Sequence, residues 1–216
     1  MRPPGALRER VLGAARAEVA PTRAERRTRA RAITVLAVGA PMVIWLVIGA
    51  IAPLPHAYLG SSAIGFAVAL AATLALALRR GPSMLGPPTR RLALAALLVG
   101  PALIAWVVAC TFACGLGTET TPWSSDLVCF SFSHVIAAAP LGALVWARRG
   151  TDPVHPRATG AVIGAAAGAA GGLLMQLHCP WGGPVHAALG HALPVVALSI
   201  VGALAFGRVL APRRAS

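Results

Sequence analysis

Long apolar blocks alternate with short polar connections along this chain. Six blocks can be read, at about 33–52, 61–78, 92–112, 127–147, 158–177 and 187–207. Each approaches the roughly 20 residues that a helix needs to cross about 30 Å of hydrocarbon. None contains Asp, Glu, Lys or Arg. The blocks are continuous and Ala-rich, with no alternation of period two, which excludes membrane strands. The pattern predicts an all-α fold: a polytopic six-helix transmembrane bundle over 32–207. A cytoplasmic segment, 1–31, precedes it and a tail, 208–216, follows it.

The polar connections orient the bundle. All 19 basic residues are arginines. Nine lie in the N-terminal segment, between Arg2 and Arg31. The second connection carries Arg79, Arg80, Arg90 and Arg91; the fourth carries Arg148, Arg149 and Arg157; the tail carries Arg208, Arg213 and Arg214. The first, third and fifth connections have none. Arginine-rich loops stay in the cytoplasm, so both termini are expected there, with the odd loops outside. The net charge of +13 is thus a topology signal. Its placement at block ends is unlike a phosphate-tracking groove, and no direct nucleic-acid binding is expected. With 57% hydrophobic and 12% charged residues, against about 25% charged in soluble domains, the chain is not an ordinary soluble enzyme. Ala50-Ile51-Ala52 resembles a signal-peptidase site, but the long basic leader and full-length apolar run predict a retained first span.

Local patterns add three features. Leu7, Val11, Ala15 and Val19 recur at helical spacing, with Arg8, Glu9, Arg10, Arg16 and Glu18 elsewhere on the surface. They predict a short amphipathic helix. It would lie on anionic membrane lipid or dock a cytoplasmic partner. Gly160, Gly164, Gly168 and Gly172 form a small-residue ridge on the fifth span. Such a ridge lets another helix approach closely, and it would serve a homodimer as well as an internal contact. Pro41, Pro101, Pro140 and Pro194 fall inside spans, where each removes a backbone hydrogen bond and predicts a kink.

The chemistry-bearing residues gather on the outward side. Cys110 and Cys114 end the third span, Cys129 opens the fourth and Cys179 follows the fifth. His178 adjoins Cys179, and His186 and His191 open the sixth span. Glu119 and Asp126 are the acids of the third loop. His134 is expected to be packed within the fourth span, and His155 has no evident partner. Three readings of the cysteines stand. An oxidising exterior favours a structural disulfide, and a Cys129–Cys179 bond would tie the fourth span to the fifth. Cys and His together suit a sensor of soft or borderline metal ions or of oxidants, with His178, His186 and Cys179 beside Cys129. A thiol-disulfide exchanger would need a reactive C-x-x-C pair, which is absent. No carboxylate marks the midplane of a coupled transporter, and no phosphate loop or nucleophile elbow is present.

Residues 127–181 carry a family resemblance. Leu127-Val128-Cys129 opens a span that ends in Trp146-Ala147-Arg148-Arg149-Gly150. Pro156-Arg157-Ala158-Thr159-Gly160 leads into a Gly/Ala-rich span finishing in Leu177-His178-Cys179-Pro180. The chain resembles the NrsF-like family of bacterial inner-membrane anti-sigma factors. These are negative regulators of sigma-F-type extracytoplasmic-function sigma factors. The resemblance implies that the cytoplasmic N-terminal part holds the sigma factor; from the helical pattern of residues 1–31, Leu7, Val11 and Val19 are expected to give the apolar face and Arg8 and Arg16 to meet acidic surface. It implies that Cys129 and Cys179 respond to periplasmic metal or oxidant stress. Cys110 and Cys114 lie outside the family pattern and remain accessory. No enzyme and no resident cofactor are expected, beyond a soft metal ion or a disulfide at the outward cysteines. The rival readings are a membrane thiol-disulfide oxidoreductase and a small transporter or structural membrane protein.

Overall fold

The computed structural model describes residues 51–78, 89–148 and 155–210, and the isolated positions Thr28, Ala32, Gly39, Val43 and Val47. The expected amphipathic helix, with Leu7, Arg8, Val11, Arg16 and Val19, lies outside the described residues, as does most of the expected first span. Two compact units divide the chain, Met1–Ala32 and Ile33–Ser216. All that follows concerns the second.

Among the described residues every regular element is a helix. Helix α1 runs His56–Leu78, α2 Thr89–Ala113, α3 Trp123–Arg148 and α4 Pro156–His178. Helix α5 runs Pro184–Ala205, and a short α6, Gly207–Leu210, follows. Helices α1 to α5 are each long and apolar enough to cross a membrane. The outward faces of α1, α2, α3 and α5 carry Ile64, Val68, Leu97, Val135, Ile200 and Leu204, all exposed. Apolar surface on this scale suits a hydrocarbon environment. The chain therefore has the build of a multi-pass membrane protein.

Helix α4 is the axis of the bundle: residues 159–176 are all buried. Its sequence explains the position. Glycine and alanine leave almost no side-chain bulk, so three neighbours come within van der Waals contact of its backbone. The ridge of Gly160, Gly164, Gly168 and Gly172 faces α5. A Cβ at Gly164 would strike the Leu198 carbonyl, and one at Gly160 would strike that of Gly202. On another face Gly171 meets the Ser133 carbonyl of α3, and Phe66 of α1 covers Gly172. The ridge is thus used inside the chain. Helices α1 and α2 are joined by Trp106, whose indole lies over Gly65 and donates to the Ser61 carbonyl at 2.9 Å.

The bundle has two chemically different ends. The starts of α2 and α4 meet at one, where the Thr89 hydroxyl lies 2.7 Å from His155 Nε2. His155, without an evident partner in the sequence, has one here. The ends of α2 and α4 and the starts of α3 and α5 form the other, which holds all four cysteines.

The prolines do not act alike. Pro101 and Pro140 lie inside continuous α-helices. Pro194 has a larger effect. It has no N–H to give the Gly190 carbonyl four residues back, and its ring crowds that carbonyl. The helix answers with one wide turn, residues Ala187–Ala192 adopting π-helical geometry with Leu193 N–H bonded to the Ala188 carbonyl. The freed Gly190 carbonyl accepts a hydrogen bond from the Ser133 hydroxyl at 3.1 Å, which ties α3 to the wide turn.

Candidate functional site

The site is assembled at the cysteine-bearing end from three helices. Cys129 projects from the second turn of α3. Cys179 caps the end of α4, its N–H bonded to the Met175 carbonyl at 2.8 Å. His186 and His191 come from α5. In an ideal α-helix, at 3.6 residues per turn, two residues five apart point about 140° away from each other. The π turn bonds residues five apart and brings them onto one face. The two imidazoles meet edge-on with ring centroids 4.9 Å apart. Pro194 thus has a consequence at the site: without the wide turn, His191 would face elsewhere.

The side chains form a connected set. Cys129 Sγ and Cys179 Sγ lie 3.3 Å apart. Cys179 Sγ is 3.0 Å from His186 Nε2. His186 Nδ1 donates to Asp126 Oδ1 at 2.6 Å, a hydrogen bond to a charged acceptor and so of the stronger kind. His191 Nδ1 donates to Gln176 Oε1 at 2.8 Å. All six residues are buried, both histidines completely. Gly190 makes room for them, since a Cβ there would press on Cys129 Cβ at 3.2 Å and come into contact with the His186 ring.

Electrostatics single out Cys179. The hydrogen bond from the Cys129 thiol holds its own thiol below the usual range; burial opposes this, and His186 and His191 reinforce it. A thiol whose pKa is lowered first by a neighbouring thiol and then by two imidazoles is the more nucleophilic member of a thiol pair. Three kinds of chemistry are therefore open to the cluster: two-electron oxidation to a disulfide, reaction of Cys179 with an electrophile, and capture of a metal ion.

The structure sorts the residues singled out from the sequence. Cys129, Cys179 and His186 come together. His178 does not join them: its Nδ1 bonds the Leu174 carbonyl at 2.9 Å, in the manner of a helical histidine satisfied by its own backbone. Cys110 and Cys114 belong to a separate apolar cluster with Ala52, Leu54, Tyr58, Leu59 and Leu116. No two cysteines are bonded to each other. His134 is held within α3, bonding the Phe130 carbonyl at 2.8 Å and packing on the Phe130 ring. Asp126, read from the sequence as a loop acid, is a buried residue of the first turn of α3. Its place was foreshadowed only by Pro122-Trp123-Ser124-Ser125-Asp126, where proline and an acid near a helix start suit the helix dipole. His191 and Gln176 were missed for a different reason, since a uniform α-helical period puts His191 on the wrong face.

No curated protein and no solved structure matches the chain. A family comparison does, over residues 14–211, and its description is negative regulator of sigma F. On a match of that extent, the chain belongs to the NrsF family of negative regulators of sigma F.

Proposed function

We propose that this protein is an inner-membrane anti-sigma factor whose paired cysteines sense periplasmic oxidant or metal stress. It crosses the membrane six times with both termini in the cytoplasm. Residues 1–31 hold an extracytoplasmic-function sigma factor, Leu7, Val11 and Val19 giving the apolar contact and Arg8 and Arg16 the charged one. Family membership supports the regulatory role. The segregation of arginines and cysteines to opposite ends of the bundle supports the orientation, because arginine-bearing ends stay inside.

One observation carries the sensing part: the Cys129 and Cys179 sulfurs stand 3.3 Å apart where α3, α4 and α5 converge. Oxidation removes one proton and one electron from each thiol, forms the S–S bond and passes both electrons to the oxidant. The bond would lock the start of α3 to the end of α4. Helix α4 packs against every other membrane helix described, so a shift at its end reaches the whole bundle. A population change from one state to its opposite takes several kcal/mol of differential stabilisation, the scale of a disulfide or a metal–thiolate site.

Two strains test the reading. Removal of residues 2–20 should release sigma-dependent transcription without impairing membrane insertion; continued repression would remove the docking role. Cys129→Ser with Cys179→Ser should abolish induction by stress while repression persists. An unchanged induction curve would end the switch role and leave the docking role standing.

A further inference from the structure

We propose that Cys129, Cys179, His186 and His191 form a closed four-ligand site for one zinc-class cation. The inference uses the cluster on which the sensing reading rests, but it needs neither a sigma factor nor a stress response.

Four observations point to a cation. First, the donor set is two thiols and two imidazoles, one atom from each, all lying within 4.8 Å of one another. Two sulfurs and two nitrogens in a tetrahedron are the donor set of structural zinc. Harder ions prefer oxygen, and copper(II) favours a flatter arrangement. Second, the spacing is close to what the ion needs. Bond lengths to zinc give tetrahedral edges of about 3.8 Å between sulfurs and about 3.6 Å between sulfur and nitrogen. The Cys129–Cys179 and Cys179–His186 edges measure 3.3 and 3.0 Å, so each opens by about half an ångström to admit the ion.

Third, both imidazoles are already oriented as metal ligands. Metal-binding histidines characteristically give the other ring N–H to a carboxylate or a carbonyl oxygen. His186 gives its Nδ1–H to Asp126, and His191 gives its own to Gln176. Each Nε2 is left with its lone pair. Fourth, His191 Nε2 is buried with no hydrogen-bond partner at ordinary distance, although the Cys179 sulfur is near enough to act on it. A fully buried polar atom of this kind calls for a ligand. Charge agrees as well: the dication offsets the two thiolates it creates, so loading adds no net charge to a cluster that already buries the Asp126 carboxylate among apolar helices. Binding exchanges two thiol protons for the ion.

A site with four protein ligands has no open position for substrate. Its role is therefore to clamp α3, α4 and α5 together. Soft ions such as cadmium would compete for the same thiolates, and formation of a Cys129–Cys179 disulfide would expel the ion.

The test uses full-length protein purified in detergent with a reductant, loaded with zinc and freed of excess. One zinc per chain is expected. Cobalt(II) in its place should give the intense visible bands of a tetrahedral ion and a thiolate-to-cobalt charge-transfer band. Cys179→Ser and His191→Asn should each lower retained zinc at least tenfold, and Cys110→Ser with Cys114→Ser should leave it unchanged. The unmutated protein supplies a second reading that no folding defect can disturb. Bound zinc should slow alkylation of Cys129 and Cys179 and leave Cys110 and Cys114 unaffected. Absence of zinc from the wild-type protein, octahedral cobalt spectra, or equal alkylation of all four thiols with and without zinc would overturn the proposal. None of these results would touch the anti-sigma reading, which the reporter strains examine separately.

Discussion

Mild oxidation should join Cys129 to Cys179 and no other pair. The two sulfurs must close from 3.3 Å to the bonded distance of about 2.05 Å. Shared between them, that is about 0.6 Å each, a small χ1 rotation of each side chain that stays within its rotamer well. Cys110 and Cys114 compete poorly, because they lie four apart on one helical turn, with the Cys114 N–H still bonded to the Cys110 carbonyl at 3.0 Å. The new bond would close a loop between residues 50 apart in sequence. Loop-closure entropy sets a ceiling of about 4 kcal/mol for the gain. The membrane already restrains the unfolded chain, so about half of that is a better expectation. At roughly 2–4 °C per kcal/mol for a chain of this size, the midpoint of thermal unfolding should rise by about 4–8 °C. The assay is diamide treatment in detergent, trypsin digestion and non-reducing mass spectrometry. Arg148, Arg149 and Arg157 lie between the two cysteines, so digestion separates their peptides unless a disulfide joins them, and fragmentation of the joined pair tells Cys129 from Cys110 and Cys114, which share its tryptic peptide. A bond mapped to Cys110 or Cys114, or a Cys129–Cys179 bond that lowers the melting midpoint, would refute the geometric argument.

Other substitutions probe the supports of the site. Gly164→Ala places a Cβ against the Leu198 carbonyl and should cost about 1–3 kcal/mol through overpacking. Gly142→Ala meets nothing within 4 Å and should instead gain about 0.5–1 kcal/mol from helix propensity; thermal scans of the two proteins in one detergent compare them directly. Asp126→Ala leaves the buried His186 Nδ1 without its charged acceptor, at about 1–3 kcal/mol, and should slow formation of the disulfide under diamide. Ser133→Ala removes the hydroxyl that bonds the Gly190 carbonyl. It should cost about 1 kcal/mol and lower zinc retention several-fold, read by titration against a competing chelator.

The sequence makes some of these features legible and hides others, and the division has a physical basis. A membrane helix announces itself through length and apolarity, because every backbone group must be bonded inside the segment. The helical class and the apolar blocks follow from the order of apolar and polar residues along the chain. The glycine ridge is legible for a similar reason, since four glycines at intervals of four must lie along one side of a helix. Its neighbour is not legible, because many helices could fill the same groove; the structure names α5. Cys129 and Cys179 are marked by their chemistry, but their approach depends on where two helices end.

His191 shows where periodic reading fails, and why Pro194 matters. Both residues are visible in the sequence, and Pro194 was expected to remove a hydrogen bond. The missing step is what the helix does with the loss. A kink would have redirected the axis and left His191 about 140° from His186. A π turn instead inserts the equivalent of one residue and rotates the preceding segment. It becomes affordable here because Gly190 has no side chain to strike Cys129 and because Ser133 satisfies the carbonyl that Pro194 leaves free. The site is thus encoded by a proline three residues beyond its last ligand and a serine on a different helix. Replacing Pro194 by Ala restores the N–H and permits an ordinary α-helix, which would turn His191 away from Cys179 and leave three ligands of four. The variant should be at least as stable as the parent, yet hold zinc at least tenfold more weakly. Stable protein with unimpaired zinc retention would show that the wide turn has some other cause.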